Sequence, residues 1–112
     1  MRFLFASLFI GFAPFAFAAD YVKDVKPIFA SHCFACHGAL QQKANLRLDT
    51  AKAILQGGDN GPAVVAKKPG ESLLLKHVRA EDGHDLMPPK SDGEKLSAKQ
   101  IETLAQWIDG GA

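Results

Sequence analysis

Several residue types are scarce in this chain of 112 residues, and each shortage excludes a class of protein. Two cysteines are too few for a disulfide-stabilised scaffold. Thirteen basic and 12 acidic residues leave a formal net charge of +1, without the basic surplus typical of nucleic-acid-binding proteins. Beyond the N-terminus, no apolar run is long enough to cross a membrane. What remains is one small domain, which is too short to bury a large core.

The first 18 residues have the pattern of an export signal. Arg2 provides the positive charge, an uncharged apolar run follows, and Ala16-Phe17-Ala18 forms an A-x-A cleavage site. Pro14 and the small residues argue against an uncleaved membrane anchor, which is the alternative. We therefore expect residues 1–18 to be a cleaved signal peptide and residues 19–112 to be the mature domain. We expect the mature protein to lie in the periplasm, without a membrane span.

Large side chains become rare once the signal is removed. Six of the eight phenylalanines lie within it, which leaves Tyr21, Phe29, Phe34 and Trp107 as the aromatic residues of the mature domain. Without Arg2, its acidic and basic residues are equal in number. A domain of this size and composition needs an additional stabilising group.

The mature domain has helical periodicity throughout and no convincing alternation of a strand. We predict a helix that Asp20 caps, Pro27 kinks or restarts, and Gly38 ends. Short helices follow over 49–56 and 71–80, and a C-terminal helix begins with a capping box of Ser97 and Gln100. Residues 57–70 and 81–95 are rich in Gly and Pro. The fold class is therefore all-α, with two long loops.

The two cysteines belong to the motif "CFACH", Cys33 to His37. A disulfide across so short a loop adds little stability, and a thioredoxin-like pair requires strands nearby. A structural zinc site needs four ligands, but the motif offers only three crowded ones. C-x-x-C-H is the attachment signature of c-type haem, in which both thiols form thioethers and His37 binds the iron. This interpretation uses every residue of the motif, and a macrocycle also supplies the missing apolar bulk.

The other face of a haem requires a second ligand. Met87 is the only methionine of the mature domain and lies in the second long loop, directly before two prolines. Histidine–methionine ligation gives an electron carrier of raised potential, and we predict Met87 in this role. His84 is the rival and would give a bis-histidine haem. We expect His77 and His32 to be structural, with His32 pointing away from the iron.

Six segments resemble the planctomycete-type cytochrome c domain: "VKPIFASHCFACHG", "LRLD", "GGDNGPAVV", "ESLL", "MPPK" and "QIETLAQWIDGGA". The resemblance covers essentially the whole mature domain. It implies one covalent haem c at Cys33 and Cys36, with His37 and Met87 as the ligands of the iron. The Gly61-Pro62 pair looks like the loop whose carbonyl accepts the N–H of the proximal histidine in class I cytochromes; the alternative is a plain turn.

The resemblance also implies the class I, mono-haem cytochrome c fold, in which the N- and C-terminal helices cross beside the haem. Val25 or Phe29 should then meet Leu104 or Ile108, with Trp107 near the crossing or against the haem edge.

The resulting prediction is a periplasmic electron-transfer protein, not an enzyme, that is a monomer and exchanges electrons with redox protein partners. It binds no nucleic acid. The alternatives are a docked haem subunit of an oxidoreductase, and a sensor or peroxidase-type haem protein with an open or bis-histidine distal site. Arg47 and Lys43 are candidates to pair with a haem propionate, or are solvated surface charges.

Overall fold

The computed structural model describes Ser7 and residues 19–112. The predicted signal peptide therefore lies, apart from Ser7, outside the described residues.

Regular structure in residues 19–112 is entirely helical, with no β-strand, as the sequence predicts. The α-helices are α1 (Lys26–His32), α2 (Ala51–Gln56), α3 (Leu73–Arg79) and α4 (Ala98–Asp109). A π-helical turn, Tyr21–Val25, precedes α1, and 3₁₀ turns cover Lys43–Asn45 and Pro69–Glu71. Residues 80–97 form the longest segment without regular structure.

The N-terminal helical segment starts where the sequence predicts and ends earlier. The Asp20 carboxylate accepts the amide N–H of Lys23 at 2.8 Å and caps the first turn. Pro27 lies in the first turn of α1, where its missing N–H costs no helical hydrogen bond. The π-helical turn thus ends and α1 restarts beside Pro27. Regular helix stops at His32 rather than at Gly38, because the chain turns tightly through Cys33.

The C-terminal helix α4 has the predicted capping box. The Gln100 amide donates to the Ser97 hydroxyl at 3.1 Å, and the Ser97 amide donates to the Gln100 side chain at 2.9 Å. Leu104 and Ile108, on the apolar face of α4, are fully buried. Ile101 and Ala105 are partly buried against the same core.

Part of the core lies where the N-terminal segment meets α4. Val25 and Phe29 are fully buried in one cluster with Leu104 and Ile108, and the N-terminal turn contacts α4. Trp107 packs edge-on to Phe29, with ring centroids 5.9 Å apart, and lies 5.6 Å from Tyr21. Trp107 therefore belongs to the contact between the terminal segments.

Ser72 is the one buried polar residue of the described core. Its hydroxyl accepts the Val65 amide at 3.0 Å and donates to the Lys68 carbonyl at 2.9 Å. These bonds fasten the loop that leads into α3.

Ser72→Ala should lower the free energy of unfolding of the haem-loaded protein by about 1–3 kcal/mol, because the Val65 amide loses its buried partner. Denaturant unfolding measures the change. Ser91→Ala, at an exposed serine of the 80–97 loop, is the matched control and should change stability by less than about 0.5 kcal/mol. Equal effects of the two variants would contradict a bracing role for Ser72.

Candidate haem site

One cavity of about 430 Å³ gathers the residues that the sequence singles out. Cys33, Cys36, His37 and Met87 all line it. Much of its remaining wall is aliphatic: Leu46, Leu48, Ala63, Leu74, Val78 and Pro88. Its volume and apolar lining are typical of sites for small molecules and cofactors.

The "CFACH" motif forms a tight turn after α1. The amides of Cys36 and His37 both donate to the Cys33 carbonyl, at 3.2 and 2.9 Å. The Cys33 amide in turn donates to the Phe29 carbonyl at 2.8 Å, which ties the motif to the buried end of α1. A Cβ atom at Gly38 would collide with the Phe34 carbonyl, so the residue after the motif has to be glycine. The turn keeps both cysteines on the cavity wall.

Both cysteines are free thiols, so the disulfide alternative has no support here. Burial, and secondarily the nearby Cys36, raises the pKa of the Cys33 thiol to about 12. Because disulfide exchange proceeds through the thiolate, a thiol with this pKa is a poor redox nucleophile near neutral pH.

His37 is held on both sides by the segment that follows it. Its Nδ1 lies 3.2 Å from the Leu46 carbonyl, and its own carbonyl accepts the Leu48 amide at 2.8 Å. A carbonyl oxygen can only accept, so Nδ1 carries the proton and the Nε2 lone pair remains free. The prediction that a carbonyl of the Gly61-Pro62 loop accepts the N–H of His37 is therefore wrong. The Gly61 carbonyl instead accepts the Gly58 amide at 3.2 Å.

Met87 reaches the same cavity from the 80–97 loop. Its amide donates to the His77 carbonyl of α3 at 3.0 Å. The next residue, Pro88, is buried and also lines the cavity. The loop is thus fastened to α3 at the residue that carries the thioether.

A family model described as Planctomycete cytochrome C matches residues 33–91, which is more than half of the chain. The chain belongs to this family. The match includes the "CFACH" motif and Met87. No curated protein and no solved structure matches the chain. As a member of the planctomycete cytochrome c family, the domain binds haem.

The residues around the cavity fit the haem that the family implies. Two thiols one turn apart, an imidazole with a free Nε2 and a thioether are the donor set of a c-type cytochrome. Aliphatic walls suit the faces of a macrocycle, and the Leu46 carbonyl would make His37 a stronger donor to the iron.

The other three histidines differ in whether they line the cavity. His84, the predicted rival of Met87, is not among the cavity-lining residues and packs against His77, with ring centroids 5.0 Å apart. His32 and His77 do line the cavity.

The protein uses both ring nitrogens of His32. Nδ1 lies 3.3 Å from the Glu94 carbonyl, and Nε2 lies 3.3 Å from the Gln100 side-chain nitrogen. With Nδ1 donating to the carbonyl, Nε2 accepts from the amide. His32 therefore joins α1 to α4 and is structural, as expected.

The sequence interpretation missed His77 as a residue of the cavity. A signal was present: Leu73, Leu74, His77 and Val78 share one helical face, and all four line the cavity.

Of the two candidate partners for a propionate, only Lys43 lines the cavity. Arg47 forms a two-pronged ion pair with Asp49. The guanidinium of Arg47 holds the pKa of that carboxyl below its usual value. The second prong is 2.9 Å long, so Arg47 already has a partner.

Two alternative roles gain no support from residues 19–112. No group of three or more His, Cys, Asp and Glu side chains among them is arranged to hold a metal ion, as zinc would require. No helix in that part of the chain is long and apolar enough to span a membrane.

Proposed function

We propose that this protein is an electron carrier of the periplasm, with one haem attached covalently to Cys33 and Cys36 and bound axially by His37 and Met87. The observation that carries the proposal is that these four residues line one largely apolar cavity, although His37 and Met87 are 50 residues apart in the chain.

The hydrogen bonds that hold His37 and Met87 favour electron transfer over catalysis. Nδ1 of His37 is committed to the Leu46 carbonyl, which leaves Nε2 as the donor to iron. Met87 is anchored by its own amide, so its thioether can close the opposite face. With both axial positions filled by the protein, the iron changes oxidation state without binding a substrate.

The fold proposed with this function is the class I cytochrome c fold. The contact between the N-terminal turn and α4, next to the helix α1 that ends directly before Cys33, supports it. Export of the mature domain rests on the signal pattern of residues 1–18. Redox proteins that dock weakly and briefly are the proposed partners, and the domain would act as a monomer.

The proposal is tested on the full-length protein, expressed with a c-type haem maturation system and isolated from the periplasm. Its intact mass should equal the chain from residue 19 plus one haem, and the haem should remain attached after denaturation. The oxidised spectrum should contain the weak far-red band of methionine-to-ferric-iron charge transfer. The ferrous protein should not bind carbon monoxide rapidly.

Each departure from this result identifies a different alternative. Haem without the far-red band, together with rapid carbon monoxide binding, would favour the sensor or peroxidase-type protein. Haem with neither property would indicate bis-histidine ligation. A protein without haem would overturn the proposal.

A further inference from the structure

His77 occupies a special position between α3 and the loop that carries Met87. It lines the cavity from the last turn of α3 and is partly buried. Its Nδ1 lies 2.8 Å from the Asp85 carbonyl, and its own carbonyl accepts the Met87 amide at 3.0 Å. His77 thus forms hydrogen bonds to the residue before Leu86 and to the residue after it.

The direction of the side-chain bond follows from its acceptor. Since the Asp85 carbonyl can only accept, Nδ1 of His77 carries the proton and donates. The bond needs a donor at the Nδ1 position and nothing from the Asp85 carboxylate. This requirement separates side chains that can replace histidine from those that cannot.

The loop has few other attachments near Met87. Two of the described hydrogen bonds join residues 85–89 to a residue outside the 80–97 loop, and His77 is the partner in both. The remaining bond of this stretch, from the Asp92 amide to the Pro89 carbonyl at 2.9 Å, lies within the loop. The position of the Met87 backbone therefore depends on His77.

We propose that His77 is a positioning residue whose Nδ1–H holds the Asp85 carbonyl and thereby keeps the Met87 thioether directed into the cavity. The inference rests on the proposed function, in which Met87 is the axial ligand. His77 acts through Met87 and does not itself bind the iron.

The experiment compares four variants of the haem-loaded, full-length protein. His77→Leu removes the donor. His77→Asn retains an N–H donor near the Nδ1 position, and His77→Gln moves the donor towards the Nε2 position. Asp85→Ala leaves the acceptor carbonyl in place and is the matched control. Imidazole, which must displace Met87 to bind ferric iron, is titrated into each protein while the far-red band is recorded.

His77→Leu and His77→Gln should bind imidazole about tenfold more tightly than the unaltered protein, the factor expected for one hydrogen bond of ordinary net strength. Their far-red bands should weaken. His77→Asn and Asp85→Ala should keep the affinity and the band of the unaltered protein. If His77→Leu does not fold, the comparison of His77→Gln with His77→Asn decides.

Equal imidazole affinities for the Gln and Asn variants would overturn the positioning role, even if both variants were less stable. A far-red band that is already absent from the unaltered protein would instead contradict Met87 ligation, and with it the inference. The two failures are therefore distinguishable.

Discussion

Met87→Ala should abolish the far-red charge-transfer band and lower the reduction potential of the haem by roughly 0.1–0.2 V, part of the range of about 0.8 V over which axial ligands set haem potentials. A methionine ligand raises the potential, and residues 19–112 contain no other methionine to replace it. The ferrous variant should also bind carbon monoxide rapidly, because one axial position becomes open. Visible spectroscopy and redox titration measure these effects.

Leu86→Ala is the control for this variant. Leu86 directly precedes Met87 but is not among the residues that line the cavity. Its truncation should leave the band and the potential unchanged. Retention of both properties by Met87→Ala would show that another group closes the distal face, and His77 would then be the first histidine to test, because it lines the cavity whereas His84 does not.

Phe29→Ala should lower the free energy of unfolding by about 3–5 kcal/mol. Phe29 is fully buried, and its ring packs edge-on to Trp107. Removing the ring leaves a cavity beside Trp107. The loss is large because small domains have only about 5–15 kcal/mol of stability in total. Denaturant unfolding of the haem-loaded protein measures the loss.

Val22→Ala, in the turn before α1, is the matched control. Val22 is 68% exposed, so its truncation should change stability by less than about 0.5 kcal/mol. A loss of less than about 1 kcal/mol for Phe29→Ala would mean that the covalent haem, rather than the contact between the terminal segments, stabilises the domain.

Local signals explain why most helices were predictable. The capping box of α4 needs only Ser97 and Gln100, three residues apart, and the structure contains both of its hydrogen bonds. Helix α2 begins two residues later than predicted because the Thr50 side chain caps it by accepting the Ala53 amide. In α1, the turn through Cys33 ends the helix six residues before Gly38.

Long-range contacts explain what the sequence could not predict. His32 binds the Glu94 carbonyl, a partner 62 residues away. The acceptor for His37 is the main-chain carbonyl of Leu46, a group that every residue possesses, so no side chain marks it. The four candidate haem residues were identifiable from their chemistry, and all four line one cavity in the structure. That these four residues are the ones that hold the haem stays a prediction.

The hydrogen bonds of Leu46 and Leu48 with His37 bear on the order in which the domain folds. The imidazole and its acceptor are only nine residues apart, whereas Met87 lies 50 residues beyond His37. Short loops close at a lower entropic cost and form earlier during folding. We therefore expect the histidine side of the cavity to form first and the methionine loop to arrive last. A haem could then enter through the open distal side and reach both thiols before Met87 closes over it.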